Sequence, residues 1–189
     1  MAHNKNNPVI HTSSITQVCR TLYFFIGFYA LSIIIFDAGN LITREVVVDR
    51  WTLVSLLLLV NTIIWFLASR KKSHTKSTYH GILTGVLAVA LLVFAGNMTY
   101  WERGMASTST ILYILPLLVV ATLKNRHALL ATATLAAGTY AFSAVRYFND
   151  FFNEGFRIQL WGSLLLYMGT IFVSAWLLMI VANLRHDSE

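Results

Sequence analysis

The sequence predicts an all-α, polytopic membrane protein: a single domain over residues 1–189, built as a six-transmembrane-helix bundle with short loops. Three observations carry this. The chain is 57% hydrophobic and only 12% charged, about half the charge of an ordinary soluble domain. Its mean hydropathy is +0.64, and the apolar residues fall in blocks separated by short polar connections. Those blocks show no polar face at helical period, which a soluble core helix would need.

A hydrocarbon core ~30 Å thick asks for ~20 helical residues, with ~17 as the lower end. On that measure helices are expected at about residues 18–37, 51–69, 80–101, 107–123, 127–147 and 157–184. The first follows a polar N-terminal stretch, and no small-residue cleavage site of a signal peptide follows Arg20. The second carries Asn61 near its middle, where the amide is expected to hydrogen-bond another helix. The third ends in Tyr100 and Trp101, rings suited to a membrane interface. Glu102 and Arg103 then fill a tight turn, and Ser107, Thr108 and Ser109 are candidate N-caps for the next helix. Pro116 is expected to kink the fourth helix, because its ring removes a backbone donor and crowds the preceding turn. The fifth, "ALLATATLAAGTYAFSAV", is crowded with small residues that let helix backbones approach closely. It is the expected centre of the bundle, with Gly138 as a close-contact position. The sixth is the longest and runs into a polar end.

Charge orients the bundle. Lys5, Arg20, Arg70, Lys71, Lys72, Lys76, Lys124, Arg126 and Arg185 share one side of a six-span arrangement, nine of the fourteen basic residues. The other side holds Arg44, Arg50, Arg103, Arg146 and Arg157 among six of the eight acids. By the positive-inside rule the basic side is cytoplasmic, which places both termini inside at the cell membrane. The net charge of +6 is thereby read as a topology signal and an attraction to anionic lipid, and nucleic acid is excluded as a partner.

Reactive groups at depth are missing from the pattern. None of the six segments has an Asp, Glu, Lys, Arg or His near its middle, and all six histidines lie in or next to the basic-side regions. That argues against paired haem ligands and against a retinal lysine. No H-E-x-x-H, G-x-S-x-G or P-loop motif occurs. His74 and His80 read as solvated loop residues, and the lone Cys19 excludes both an internal disulfide and a cysteine zinc site. No catalytic residue, metal or cofactor is expected, so an enzyme is the least supported class.

The outer face is richer. "DAGNLITREVVVDRW" and "VRYFNDFFNEGFRIQLW" combine acids, arginines and aromatics in what read as outer loops. Arg146 and Asp150 are four apart and Glu154 and Arg157 three apart, so each pair can meet on a helix face. Phe148, Phe152 and Phe156 recur at helical spacing. One reading is an anchoring surface with phenylalanines in lipid. The other is an outward-facing ligand site formed by Arg50, Trp51, Trp101, Glu102, Arg103, Arg146, Asp150, Glu154 and Arg157.

The final stretch "AWLLMIVANLRHDSE", Ala175 to Glu189, ends a long apolar helix in a polar turn. In this, and in its several short-looped helices, the chain resembles the multi-pass N-terminal sensor modules of bacterial histidine kinases and diguanylate cyclases. The resemblance is architectural and implies a sensory or ligand-binding module whose last helix leads to a cytoplasmic output. No kinase or cyclase domain follows within these residues, so a detached membrane module and a stand-alone protein both stay open. The alternative is a small transporter or channel for a small molecule or lipid, with Asn61, Thr62, Pro116 and the hydroxyls of the fifth helix as a thin polar path. The partners expected are the bilayer and a small-molecule or lipid ligand, with a homodimer left open.

Overall fold

The computed structural model describes residues 10–39, 41–70, 77–102, 104, 107–151 and 157–187, and no strand occurs among them. The chain forms α1 (Ile10–Ala38), α2 (Arg44–Arg70), α3 (Ser77–Trp101), a 3₁₀ helix (Thr108–Tyr113) continued by α4 (Ile114–Ala121), α5 (Arg126–Phe151) and α6 (Arg157–Asp187). Five of these helices contain apolar spans of 23 to 27 residues, long enough to cross a bilayer. The architecture is a helical membrane bundle.

Side-chain pairs fix the directions. Phe25 meets Phe94, and Tyr29 donates to Met98 Sδ at 2.8 Å, so α1 and α3 run parallel. Gly96 abuts Thr139 and Ser143 while Tyr100 reaches Asp150, so α3 and α5 are parallel as well. Asn61 Nδ2 donates to the Cys19 carbonyl at 3.0 Å, and Arg50 Cζ lies 5.9 Å from the Phe36 ring, which sets α2 antiparallel to α1. Tyr140 packs on Tyr167 at 5.3 Å, while Leu129 shares a cleft with Met179 and Ala182, so α6 opposes α5.

Because α3 and α5 are parallel, the chain must return from one end of the bundle to the other between them. The 3₁₀ helix and α4 do this with only 14 residues. Six residues at ~2.0 Å rise and eight at ~1.5 Å cover about 24 Å, against about 21 Å for an α-helix throughout. The tighter 3₁₀ winding thus lengthens a short segment. Pro116 falls in the first turn of α4, where it can donate no bond back to the 3₁₀ turn before it. It marks the change from 3₁₀ to α winding, where the sequence suggested a kink inside one continuous helix over 107–123.

Other expectations are corrected too. Helix α2 starts at Arg44 and α5 ends at Phe151, so several charges assigned to outer loops stand on regular helical turns. The centre of the bundle is α3: 56% of its span is buried, against 44% for α5. Gly138 does not make a close contact, since an added Cβ there meets nothing within 4 Å. Ala133, Ala136, Ala137 and Ala144 form the packed face of α5 instead, and Gly138 lies outside it. His80 is no solvated loop residue but sits buried in α3, and its Nδ1 has no hydrogen-bond partner.

Outward faces carry large apolar residues, among them Phe24, Phe28, Leu165, Leu166, Trp176 and Val181. On a water-soluble monomer such a surface would be an aggregation liability. Against lipid tails it costs nothing.

Candidate functional site at one end of the bundle

On α2 the buried residues are Val47, Arg50, Val54, Leu57, Asn61, Ile64 and Ala68. Their alternating spacing of three and four keeps one stripe turned to the bundle, and it brings Arg50 inward along with the apolar side chains. A buried guanidinium is costly unless it is paired. Its partner is Glu102: Arg50 Nη2 lies 3.1 Å from Glu102 Oε1, with side-chain exposures of 7% and 19%.

Glu102 is held by its local sequence. Its backbone N–H still donates to the Met98 carbonyl at 2.9 Å, so it extends the last turn of α3. Gly104 then turns the chain with φ +61, a left-handed conformation that favours glycine. An added Cβ at this position would stand 2.8 Å from the Tyr147 ring. Ser107 caps the 3₁₀ helix by accepting from Ser109 N–H at 2.9 Å. The same turn aims three hydroxyls at the acid: Ser107 Oγ and Thr108 Oγ1 donate to Glu102 Oε2 at 3.3 and 3.4 Å, and Ser109 Oγ donates to the same oxygen. One carboxylate at the end of α3 therefore gathers a guanidinium from α2 and three hydroxyls from the start of the 3₁₀ helix. Arg50 Nε has no partner.

A second cluster lies beside it on α3 and α5. Tyr100 Oη donates to Asp150 Oδ2 at 2.7 Å, Arg146 Cζ lies 4.9 Å from the Tyr100 ring, and Arg146 Nε is 3.9 Å from Asp150 Oδ2. Tyr147 and Phe151 pack edgewise and tilted against Tyr100. Both charges are largely exposed, at 61% and 45%. Exposed pairs are screened by water, so Arg146→Gln should cost less than about 1 kcal/mol in a denaturation titration. A larger loss would mean that this cluster, exposed as it is, anchors α5 to α3.

The structure thus divides the sequence-derived site residues. Arg50 joins Glu102, and Arg146 joins Asp150. Trp51 is exposed and Trp101 half-buried. Arg103 and Glu154 lie outside the described residues, as does the side chain of Arg157, the first residue of α6. Of the phenylalanines at helical spacing, Phe148 is buried in the core, and Phe152 and Phe156 lie outside the described residues. Sequence reasoning treated Ser107, Thr108 and Ser109 only as caps; a run of hydroxyls shortly after a lone acid was the available signal for their second role. It also passed over Tyr113 and Tyr140. These pack edge to face at 5.8 Å in the core, where the buried Tyr113 hydroxyl lies within reach of Thr99 and Ser143. Among the described residues no group of three or more His, Cys, Asp or Glu side chains could hold a metal.

Chemically, the arrangement offers recognition. A guanidinium with an unspent Nε donor, beside the Phe36 ring, suits a planar acceptor such as a carboxylate. No family model, no curated protein and no solved structure matches this chain. The fold and the site define it as a helical membrane bundle with a buried ion-pair node at one end.

Proposed function

We propose that this chain is an integral membrane sensory or ligand-binding module. In this reading it crosses the bilayer six times with both termini in the cytoplasm, and it binds a small polar ligand at the outer end around Arg50 and Glu102. The observation that carries it is the burial of Arg50 with an unpartnered Nε. An ionisable group kept inside a membrane bundle is expensive, and its retention points to use. A ligand carboxylate would take the free Nε donor of Arg50, compete with Glu102 for the guanidinium, and so reach the α2–α3 contact and the 3₁₀ segment together. The test is the melting temperature of the purified chain titrated with acetate, succinate and glutamate. A ligand at 100 times its Kd adds about 2.7 kcal/mol. Arg50→Lys keeps the charge but loses the planar fork, and should fold without responding. An equal response from the lysine variant, or none from the wild type, would sink the reading.

The six crossings are supported by the parallel run of α1, α3 and α5 and by the basic-residue asymmetry. Cys19 is buried, so the native chain gives little labelling background. With an impermeant thiol reagent added outside cells, Thr43→Cys and Asn149→Cys should react, and Ser69→Cys and His127→Cys should not. The reverse pattern would invert the orientation.

The buried hydroxyls of Thr99, Tyr113, Tyr140 and Ser143 favour the second reading, a small transporter with a polar path through the core. Solute flux into vesicles that Tyr113→Phe abolishes would support it over the sensory one.

A further inference from the structure

The two oxygens of the Glu102 carboxylate have different partners. Oε1 faces Arg50 Nη2 at 3.1 Å. Oε2 accepts from the hydroxyls of Ser107, Thr108 and Ser109, and the Glu102 backbone N–H is tied to the Met98 carbonyl. The acid is therefore tethered and does not swing away when another acceptor arrives at Arg50. Nε and Nη2 share one edge of a guanidinium, so an oxygen accepting from the unpartnered Nε comes within a few ångströms of Oε1.

That closeness sets an electrostatic condition on any carboxylate ligand. Arg50 and Glu102 cancel each other's charge, with side chains only 7% and 19% exposed. A second ionised carboxylate would leave net negative charge where water screens it poorly, and two carboxylates sharing one site do not both stay ionised. Resting on the reading of Arg50 as a carboxylate site, we propose that Glu102 takes up one proton as the ligand binds, so that the site admits a carboxylate and a proton together. The proton sits on Oε1 and is donated to the ligand carboxylate, which accepts at the same time from Arg50 Nε–H. Oε2 keeps its three hydroxyl donors, so no helix has to move. The proton comes from water at that end of the bundle, through the part of Glu102 left exposed. The neighbours leave Glu102 as the proton's place. From α2 comes Arg50, a permanent cation. From α1 comes the phenol of Tyr29, within electrostatic range of both charges and donating to Met98 Sδ. The 3₁₀ segment brings hydroxyls. Asp37 of α1 and Arg44, Glu45 and Asp49 of α2 are exposed, and on α5 Arg146 and Asp150 face each other beside Tyr100. A module built this way responds to carboxylate and acidity jointly.

The test is calorimetry on the full chain in micelles, with acetate as the probe and succinate and glutamate beside it. Repeating each titration in buffers of different ionisation heat counts the protons. About one proton should be taken up per acetate, and Kd should rise by up to about tenfold per pH unit between about pH 6 and 8, because binding consumes a proton. Glu102→Gln presents an amide N–H where the protonated acid presents O–H, and its carbonyl can keep the three hydroxyls. It should bind acetate without proton uptake and with a Kd flat in pH. Asp49→Asn removes an exposed acid next to Arg50 in sequence and should keep the wild-type uptake. Acetate binding to the wild type without proton uptake overturns the proposal and leaves the carboxylate reading standing. Uptake that survives in Glu102→Gln, or is lost in Asp49→Asn, overturns it as well, since the proton is then elsewhere. Binding of none of the three carboxylates removes the underlying reading and this inference with it. Should Glu102→Gln fail to fold, the wild-type proton count and the Asp49→Asn comparison decide.

Discussion

Replacing Glu102 by leucine should cost about 3–5 kcal/mol, the range for removing one member of a buried ion pair. The reason lies in what remains. Arg50, 6% exposed, would stay inside the bundle with its counter-ion gone. Ser107, Thr108 and Ser109 would lose their common acceptor at the same time. A buried donor left without a partner costs about 1–3 kcal/mol, although the hydroxyls can rotate and recover part of this. Glu102→Gln keeps the acceptor oxygen while removing the charge, so it should fall between wild type and leucine. The informative variant is the double replacement Arg50→Met with Glu102→Leu. If burial of an unpaired charge is what hurts, the double variant should be more stable than Glu102→Leu alone, because apolar replacement of a whole buried pair is often neutral or better. Denaturation in mixed micelles measures these beside wild type and Arg50→Met alone. A double variant as weak as the sum of its parts would mean that the pair acts through helix geometry and not through charge.

That pair also shows how far the sequence could be read. Composition and block structure were enough for the class, since a bilayer imposes a length and a polarity that leave a plain trace in hydropathy. Arg50 and Glu102 were both singled out as outer charges, but their partnership was not legible. Nothing local tells which of the outer acids an arginine on α2 will meet, because that depends on how α2 and α3 are rotated about their axes. A partial signal did exist: Arg50 and Asn61 share the three-and-four spacing of Val54, Leu57 and Ile64, which turns both inward. The 3₁₀ winding of Thr108–Tyr113 left no such trace, since hydropathy records residue polarity and says nothing of rise per residue. His80 was misjudged because it stands next to a basic stretch, although it is on the inward side of α3.

The second large effect is expected at Gly96. The abundance of small residues in α5 pointed to Gly138 as the close contact, but abundance does not give the phase of a helix. Gly138 is out of register with Ala133, Ala137, Tyr140 and Ala144, which face the core. The tight approach is made by α3 toward α5: an added Cβ at Gly96 would stand 2.8 Å from Thr139 Cγ2 and 3.2 Å from Ser143 Oγ. Contact at 2.8 Å forces something to move, and overpacking of this kind costs about 1–3 kcal/mol. Gly96→Ala should therefore destabilise the bundle, Gly96→Leu should do so more severely, and Gly138→Leu should be close to neutral. Thr139 gives the internal check. Its Oγ1 donates to the Leu135 carbonyl at 2.8 Å, so Thr139→Ser keeps that bond and removes only the methyl that Gly96→Ala would strike. Combined, the two substitutions should restore most of the lost melting temperature. Separating α3 from α5 also strains the turn through Gly104 that aims the hydroxyls at Glu102, because Gly104 rests on Tyr147 of α5. Gly96→Leu should thus weaken the buried node from a distance, and the cost of adding Glu102→Leu to it should be smaller than in the native background. Fully additive losses would show that the α3–α5 contact and the ion-pair node are independent.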